Sequence, residues 1–468
     1  MAYDVDVAVV GGGAAGLSAA LQARRRNASV LLVEADRLGG DCTWTGCVPS
    51  KALIERAAQL HRARRRGGAP GTDFARIMGE VRSAVARIAR DESPAVLRWY
   101  GVEFLEGVAT FSGPRRLDVE GTPVTAGAVV LATGSSPVLP PVEGLREARP
   151  LTNETVFELT ELPARLAIMG GGPIGMELAQ AFARLGSTVT VLQRGGRLVT
   201  KEEPEAGEVL QRVLRAEGVD VRLCARVRRV RRDGGVLRLQ TAEGATVEAD
   251  ELLCAVGRRP GAVGMDLARA GVDCDERGFV RVDDRLRTTA SGVYAVGDAV
   301  GGPFFTHAAY DMGALAANNA LGRRQARWST RGLPWVTFTD PEIGRVGMTE
   351  AQAHARYGGD ARVAFLPLEE TDRGRATGHT DGFVKLVAGP RPVVRSLGGG
   401  QLLGATVMCP AGGDVVHEAA LAVRTRMLTG RLAQTVHAYP SWSLALRQTA
   451  AQFFRKERGR RARPAQAA

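Results

Sequence analysis

The chain has 468 residues, of which 45% are hydrophobic and 24% charged, enough to bury the cores of several domains. No stretch reaches the roughly 18 uninterrupted apolar residues of a membrane span, and residues 1–6 form neither a basic lead nor a cleavage-like site, so the expected location is cytoplasmic, with no membrane partner. The net charge of +12 does not point to nucleic acid. The arginines are dispersed, the densest runs (62–66 and 455–463) fall at a helix end and in a tail, and no aromatic platform accompanies them; a positive field also suits an anionic dinucleotide.

Residues 5–10 form a short apolar strand that runs into Gly11-Gly12-Gly13-Ala14-Ala15-Gly16. An Ala/Leu-rich helix to about Arg26 and a second strand, 29–33, follow. This is a βαβ unit with G-x-G-x-x-G in the right context. Its glycines let backbone approach a pyrophosphate, and the helix start offers free N–H groups and a positive dipole end. Glu34 closes the second strand, where a carboxylate can hold a ribose diol.

Residues from Pro49 to about Gly101 read as largely helical, with a break near 62–71. Residues 102–131 are strand-rich and end in the turn Ala132-Thr133-Gly134-Ser135-Ser136-Pro137. A second βαβ unit starts at 166–169 and carries Gly170-Gly171-Gly172-Pro173-Ile174-Gly175, a helix to about Leu185 and a strand at 188–192. Here the acidic place is Gln193, followed by Arg194, with Arg197 and Lys201 close by. A neutral residue among cations accepts a 2′-phosphate, so this site is expected to take NADPH in preference to NADH. Further turns are Ala255-Val256-Gly257-Arg258-Arg259-Pro260 and the segment ending in Gly297-Asp298. A helix is expected over about 306–321, and an α+β domain from Trp335 on.

Of the six cysteines, Cys224, Cys254, Cys274 and Cys409 are isolated and default to small buried hydrophobes. No Cys-x-x-Cys or His-rich array suggests a metal. Cys42 and Cys47 differ. Five residues apart, they need a distorted turn to meet, which Gly46 and Pro49 permit. A cysteine at a helix start is a better thiolate, and such a pair beside a flavin can take two electrons.

The segment Gly39-Gly40-Asp41-Cys42-Thr43-Trp44-Thr45-Gly46-Cys47-Val48-Pro49-Ser50-Lys51 resembles the C-x-x-x-x-C motif of the pyridine nucleotide–disulfide oxidoreductases. That family includes glutathione reductase, dihydrolipoyl dehydrogenase and mercuric reductase. The resemblance extends through both glycine fingerprints, the two later turns, the strand before Asp298 and Thr339-Asp340-Pro341-Glu342. It implies an FAD enzyme reduced by NAD(P)H that works as a homodimer with an active site shared across the interface and passes electrons to a small-molecule acceptor.

By that likeness Cys47 is the thiolate against the flavin and Cys42 the interchange thiol. Asp298 holds the FAD ribityl chain. Lys51 and Glu177 form an ion pair beside the flavin, and the helix starting at Thr306 points its dipole at it. Thr133, Gly134 and Gly257 join the cofactor-binding positions.

One segment departs from the family pattern. Disulfide-reducing members place His-Pro, then a Glu, in the C-terminal domain; here Tyr439 precedes Pro440 and Leu444 stands in the acidic position. Tyr439 can donate a hydrogen bond but is a poor base. In an extended segment His437 would share its face and partly substitute. Mercuric reductases also carry tyrosine there, but they have a C-terminal cysteine pair, and this sequence has no cysteine after Cys409. Pro173 stands where glutathione reductase has a tyrosine gate.

The expected fold is α/β: two doubly wound dinucleotide-binding (Rossmann-like) domains plus a C-terminal α+β dimerisation domain. The expected boundaries are 1–150 and 276–334 for the FAD domain, 151–275 for the NAD(P) domain, 335–454 for the interface domain and 455–468 for a disordered tail. The expected acceptor is a small disulfide or a thiol-bound metal. A quinone-type acceptor with the cysteines as an electron store, and a redox-responsive regulator, are the alternatives.

Overall fold

The structure is a computed structural model that describes residues 3–68, 71–391, 393 and 395–467. It divides into two compact units. The first comprises the chain up to Pro141, Arg149–Leu162 and Leu253–Ser329; the second comprises Val142–Ala148, Pro163–Leu252 and the chain from Thr330 on.

In the first unit the strand Val5–Val10 lies between two parallel neighbours, Val30–Glu34 and Thr122–Leu131. Glu103–Glu106 extends one side, and Val293–Ala295 pairs in parallel with Thr122–Leu131. Central parallel strands are covered on both faces, so they read as unbroken Val/Leu/Ala runs. Val7, Val9, Leu32 and Val130 are fully or almost fully buried. The helix Ala14–Arg25 is built from good helix formers and carries Arg24 and Arg25 in its last turn, where cations meet the negative dipole end. It packs against the helix Thr306–Leu321, because Gly313 leaves room for the backbone of Ala15; any side chain there would strike the Ala15 carbonyl. The 49–101 region resolves into three helices, Cys47–Arg65, Phe74–Asp91 and Pro94–Trp99.

In the second unit Arg165–Met169, Thr188–Leu192 and Asp220–Arg222 are parallel neighbours, with the helix Pro173–Leu185 after the first. A three-stranded antiparallel meander, Val227–Asp233, Val236–Thr241 and Thr246–Ala249, follows. Beyond Thr330 a six-stranded antiparallel sheet runs in the order Pro334–Thr337, Glu342–Gly347, Gln401–Cys409, Phe383–Gly389, Arg362–Pro367, Arg463–Pro464. One of its faces packs on the helix Gly412–Arg424 through Val415, Val416 and Ala419.

The last strand corrects the expectation of a disordered tail. Arginines on and just before that strand find carboxylates elsewhere in the unit: Arg460 bonds Glu370 at 2.6 Å, Arg458 bonds Asp372 at 2.8 Å and Arg463 bonds Glu350 at 3.0 Å. Ala465 is buried and takes a backbone bond to Ala361. Polar composition signalled disorder, but the charges are partnered at long range.

Candidate functional site

The first glycine turn fits a bound dinucleotide. Gly11 has φ +106°, and a side chain at Gly16 would collide with the Gly11 carbonyl, so strand and helix approach as only glycine allows. Gly13 caps the helix Ala14–Arg25 without any side-chain cap, which leaves the first N–H groups at Ala14 and Ala15 free to meet a phosphate. The Glu34 carboxylate accepts from the Gly12 N–H at 2.5 Å and from the Asp36 N–H at 2.8 Å, which fixes it at the end of its strand. Thr133 follows the strand Thr122–Leu131, and its hydroxyl is buried with no partner among the described residues. A buried hydroxyl of this kind awaits a ligand or water, and FAD fits the cradle. Gly134 beside it has φ +66°, and Gly257 has φ +147°.

The second turn repeats the design with one change of charge. Gly170 has φ +114° and Gly172 caps the helix Pro173–Leu185 without a side chain. Gly175 leaves no room for a Cβ against the Gly170 carbonyl, and Ile174 is 40% exposed. Gln193 accepts from the Gly171 N–H at 3.0 Å, as Glu34 does from Gly12, and donates to the Arg197 carbonyl at 3.1 Å. The neutral amide therefore occupies the carboxylate's place, and Arg194 next to it is exposed.

The cysteine pair sits where two helices meet end to end. Gly39, with φ +95°, starts a short helix, Gly40–Trp44, which carries Cys42. That helix stops at Thr45, Gly46 turns out of helical geometry, and Cys47 opens the helix Cys47–Arg65. The break resolves the phase problem of a five-residue spacing and places Cys47 at a positive dipole end. Both cysteines are thiols. The Thr306 hydroxyl, first in its helix, donates to Cys42 Sγ at 3.0 Å and lies 3.5 Å from Cys47 Sγ. Beyond the helix dipole that the sequence implies, Thr306 gives its side chain to both sulfurs.

The Cys42 thiol is pushed well up from its ordinary value. The hydrogen bond with Cys47 contributes most, then burial, then charge on Cys47, while Thr306 works the other way. The two thiols therefore titrate as a pair, and Cys47 is the one placed at a helix start, where a thiolate is favoured. Cys224 breaks the expectation for the isolated cysteines, since it is exposed. Cys254 and Cys409 keep to it: burial raises them to about 11 and about 12.

Around this pair the first unit carries a charge network that sequence spacing did not reveal. Asp298 accepts from the Ser135 hydroxyl at 2.5 Å and lies 3.4 Å from Arg258 Nε. Burial raises the Asp298 carboxyl above its ordinary value, although Ser135 and Arg258 both pull it down. Lys51 lies half-buried on the helix Cys47–Arg65. In the second unit Glu177 is buried and accepts from the Phe338 N–H at 2.8 Å.

The C-terminal segment brings His437 and Tyr439 to one cavity of about 240 Å³, lined also by Leu444, Arg447, Gln448 and Arg455. Their exposure differs sharply: the His437 side chain is 6% exposed and Tyr439 72%. His437 Nε2 meets Glu418 at 3.0 Å, and Nδ1 meets the Thr435 carbonyl at 3.0 Å. A histidine–glutamate pair thus exists, built with a residue from the helix Gly412–Arg424 rather than from the motif position at Leu444. Both ring nitrogens are engaged by oxygens of the protein itself, one from Glu418 and one from the backbone. The Tyr439 side chain remains exposed.

Among the described residues no helix is long and apolar enough to cross a membrane. Comparison with known proteins gives a consistent picture. Residues 5–313 match the pyridine nucleotide-disulphide oxidoreductase family, and residues 333–450 match its dimerisation domain. A mercuric reductase of Streptomyces lividans is 38% identical over 463 residues, covering 96% of this chain and 96% of the relative. A dihydrolipoyl dehydrogenase of Thermus scotoductus is 34% identical over 457 residues, covering 95% and 96%. Among solved structures, the HOCl-induced flavoprotein disulfide reductase RclA from Escherichia coli superposes with a TM-score of 0.85 at 28% identity, covering 95% of this chain and 99% of that one. LpdA from Mycobacterium tuberculosis gives 0.86 at 30%, covering 96% and 100%. The chain therefore belongs to the pyridine nucleotide-disulphide oxidoreductases, as a homodimeric flavoprotein oxidoreductase that uses FAD, NAD(P)H and a redox-active disulfide.

Proposed function

We propose that the Cys42–Cys47 pair is that disulfide and that it hands electrons from NADPH to a small disulfide or a thiol-bound metal ion in the cytoplasm. The observation that carries this reading is the Thr306 hydroxyl held between the two sulfurs at the start of a helix. FAD, bound at the first glycine turn, supplies the two-electron relay from nicotinamide to sulfur. Gly11, Gly13, Ala14, Ala15, Gly16 and Glu34 hold its adenosine diphosphate end, and Thr133, Gly134, Lys51, Gly257, Asp298 and Thr306 line the remainder. Gly170, Gly172, Ile174 and Gly175 receive NADPH, with Gln193 and Arg194 at the 2′-phosphate. Lys51 is the cation proposed beside the flavin.

Reduction of the disulfide takes two electrons and one proton. The S–S bond breaks, Cys42 keeps the proton and Cys47 is left as thiolate at the positive end of its helix. Cys42, the interchange thiol by the family likeness, meets the acceptor. Tyr439, reaching the site from the partner copy in the homodimer, orients the acceptor by donating a hydrogen bond from its hydroxyl. His437 is held by Glu418 and braces that segment instead of serving as the base. An acceptor bound as a soft metal by two thiolates needs no such base, which suits this arrangement.

The deciding experiment is Cys42→Ser, assayed against disulfides, Hg(II) and quinones with NADPH. Turnover of the best acceptor should fall on the order of 100-fold or more, while NADPH still bleaches the flavin. Survival of turnover with a quinone as best acceptor would replace this reading with a small-acceptor flavin reductase.

A further inference from the structure

Beside Cys42 the chain places a carboxylate, Asp41, and fastens it to a buried cation. Arg258 is 10% exposed at its side chain and bonds Asp41 through Nη2 at 2.6 Å. The same guanidinium donates to the Ser135 carbonyl at 2.8 Å and through Nε to the Ser135 hydroxyl at 2.6 Å. It also lies 3.4 Å from Asp298. The other oxygen of Asp41 accepts from Asn153 Nδ2 at 2.9 Å and from the Thr45 hydroxyl. Glu154 faces both Asp41 and Arg258, with Arg259 beside it, and burial raises its carboxyl above the ordinary value. One buried guanidinium thus serves two carboxylates, one joined through the backbone to Cys42 and one proposed to meet the flavin. A fixed loop could be held by neutral bonds, as Asn153 and Thr45 already hold this one. A buried ion pair of this kind costs desolvation, and its charge acts on any nearby step that changes charge.

The nearby step does change charge. Two electrons and one proton convert the disulfide into Cys42–SH and Cys47–S⁻, so the site gains one negative charge. The electrons come from NAD(P)H through FAD, as the family activity supplies.

We propose that Asp41 and Arg258 form a positioning pair that sets how readily the Cys42–Cys47 disulfide is reduced. Asp41 opposes the new thiolate, and Arg258 offsets Asp41 while locking its carboxylate away from the sulfurs. The inference rests on the assignment of Cys42 and Cys47 as the redox pair.

The test measures the disulfide–dithiol equilibrium of the FAD-loaded full chain against glutathione at pH 7, by mass of alkylated protein. D41N keeps the shape and both neutral bonds while removing the charge. It should favour the reduced pair about tenfold, equivalent to about 30 mV. R258Q should shift the equilibrium the other way by a similar factor, and R258K should stay within about twofold of the unaltered chain. D41N is read first: an unchanged or downward equilibrium overturns the proposal even if R258Q loses its flavin. Shifts of both variants in one direction also overturn it, since a merely structural pair would respond so. If the unaltered chain forms no Cys42–Cys47 disulfide at all, the redox-pair assignment fails instead, and the two failures are distinguishable.

Discussion

Gln193 and Glu34 occupy matching places and make matching bonds to the backbone, yet they differ by one charge. Each accepts from the N–H of a glycine in its fingerprint, Gly171 and Gly12. The carboxylate suits a ribose diol, whereas the amide leaves room for a phosphate that exposed Arg194 can meet. Arg194→Glu should therefore lower the ratio of kcat/KM for NADPH to that for NADH about tenfold, a change of about 1.4 kcal/mol. Steady-state assays with both nucleotides check this, and an unchanged ratio would dismiss Arg194 as the selector. At the same scale, His437 and Tyr439 line one cavity but differ in what holds them. Their alternation suggested a shared face, but the His437 ring is sequestered by Glu418 and a backbone carbonyl.

At the scale of elements, the closing strand Arg463–Pro464 matters beyond its length. It pairs with Arg362–Pro367 and delivers Arg463 to Glu350. Glu350 also meets Lys385 at 2.7 Å, and Lys385, 2% exposed, meets Glu203 at 3.0 Å and Glu205 at 2.8 Å. Burial by itself would raise the Glu350 carboxyl; hydrogen bonds from Arg463 and then Lys385 outweigh it and bring the value from 4.5 to about 2. Because the folded value lies below the unfolded one, this stabilisation is complete above about pH 4.5 and fades as the pH falls toward 2. Glu350→Gln should lower the Tm at pH 7 and flatten the acid dependence between pH 4.5 and 2, measured by calorimetry. An equally steep acid loss in the variant would show that other carboxylates govern it.

For the whole molecule, the homodimer accounts for apolar side chains left open on the C-terminal unit. Val436 is 90% exposed, Tyr439 72% and Leu421 59%, all within the residues that match the dimerisation domain. Exposed apolar side chains within a dimerisation domain are candidates for the face that a partner copy covers. Val436→Arg should weaken self-association at least about tenfold, seen by sedimentation velocity. It should also slow acceptor reduction while leaving the NADPH-driven bleaching of flavin intact. A variant that stays dimeric at low concentration would place the interface elsewhere.

The sequence alone determined whatever depends on local periodicity and backbone freedom. Two βαβ units, their glycine turns and the helix break at Gly46 were legible, because glycine positions and apolar runs act within a few residues of themselves. The cysteine pair was legible for the same reason. Tertiary structure decided the contacts whose partners lie far apart along the chain: Thr306 with Cys42 across 264 positions, Arg258 with Asp41 across 217 and Arg460 with Glu370 across 90. Each depends on where a sheet edge or helix end delivers a charged or polar tip, and no local spacing encodes that. Where the group is buried, as the Arg258 guanidinium is, pairing becomes obligatory, since an unpartnered charge inside the fold costs more than the chain's net stability can spare.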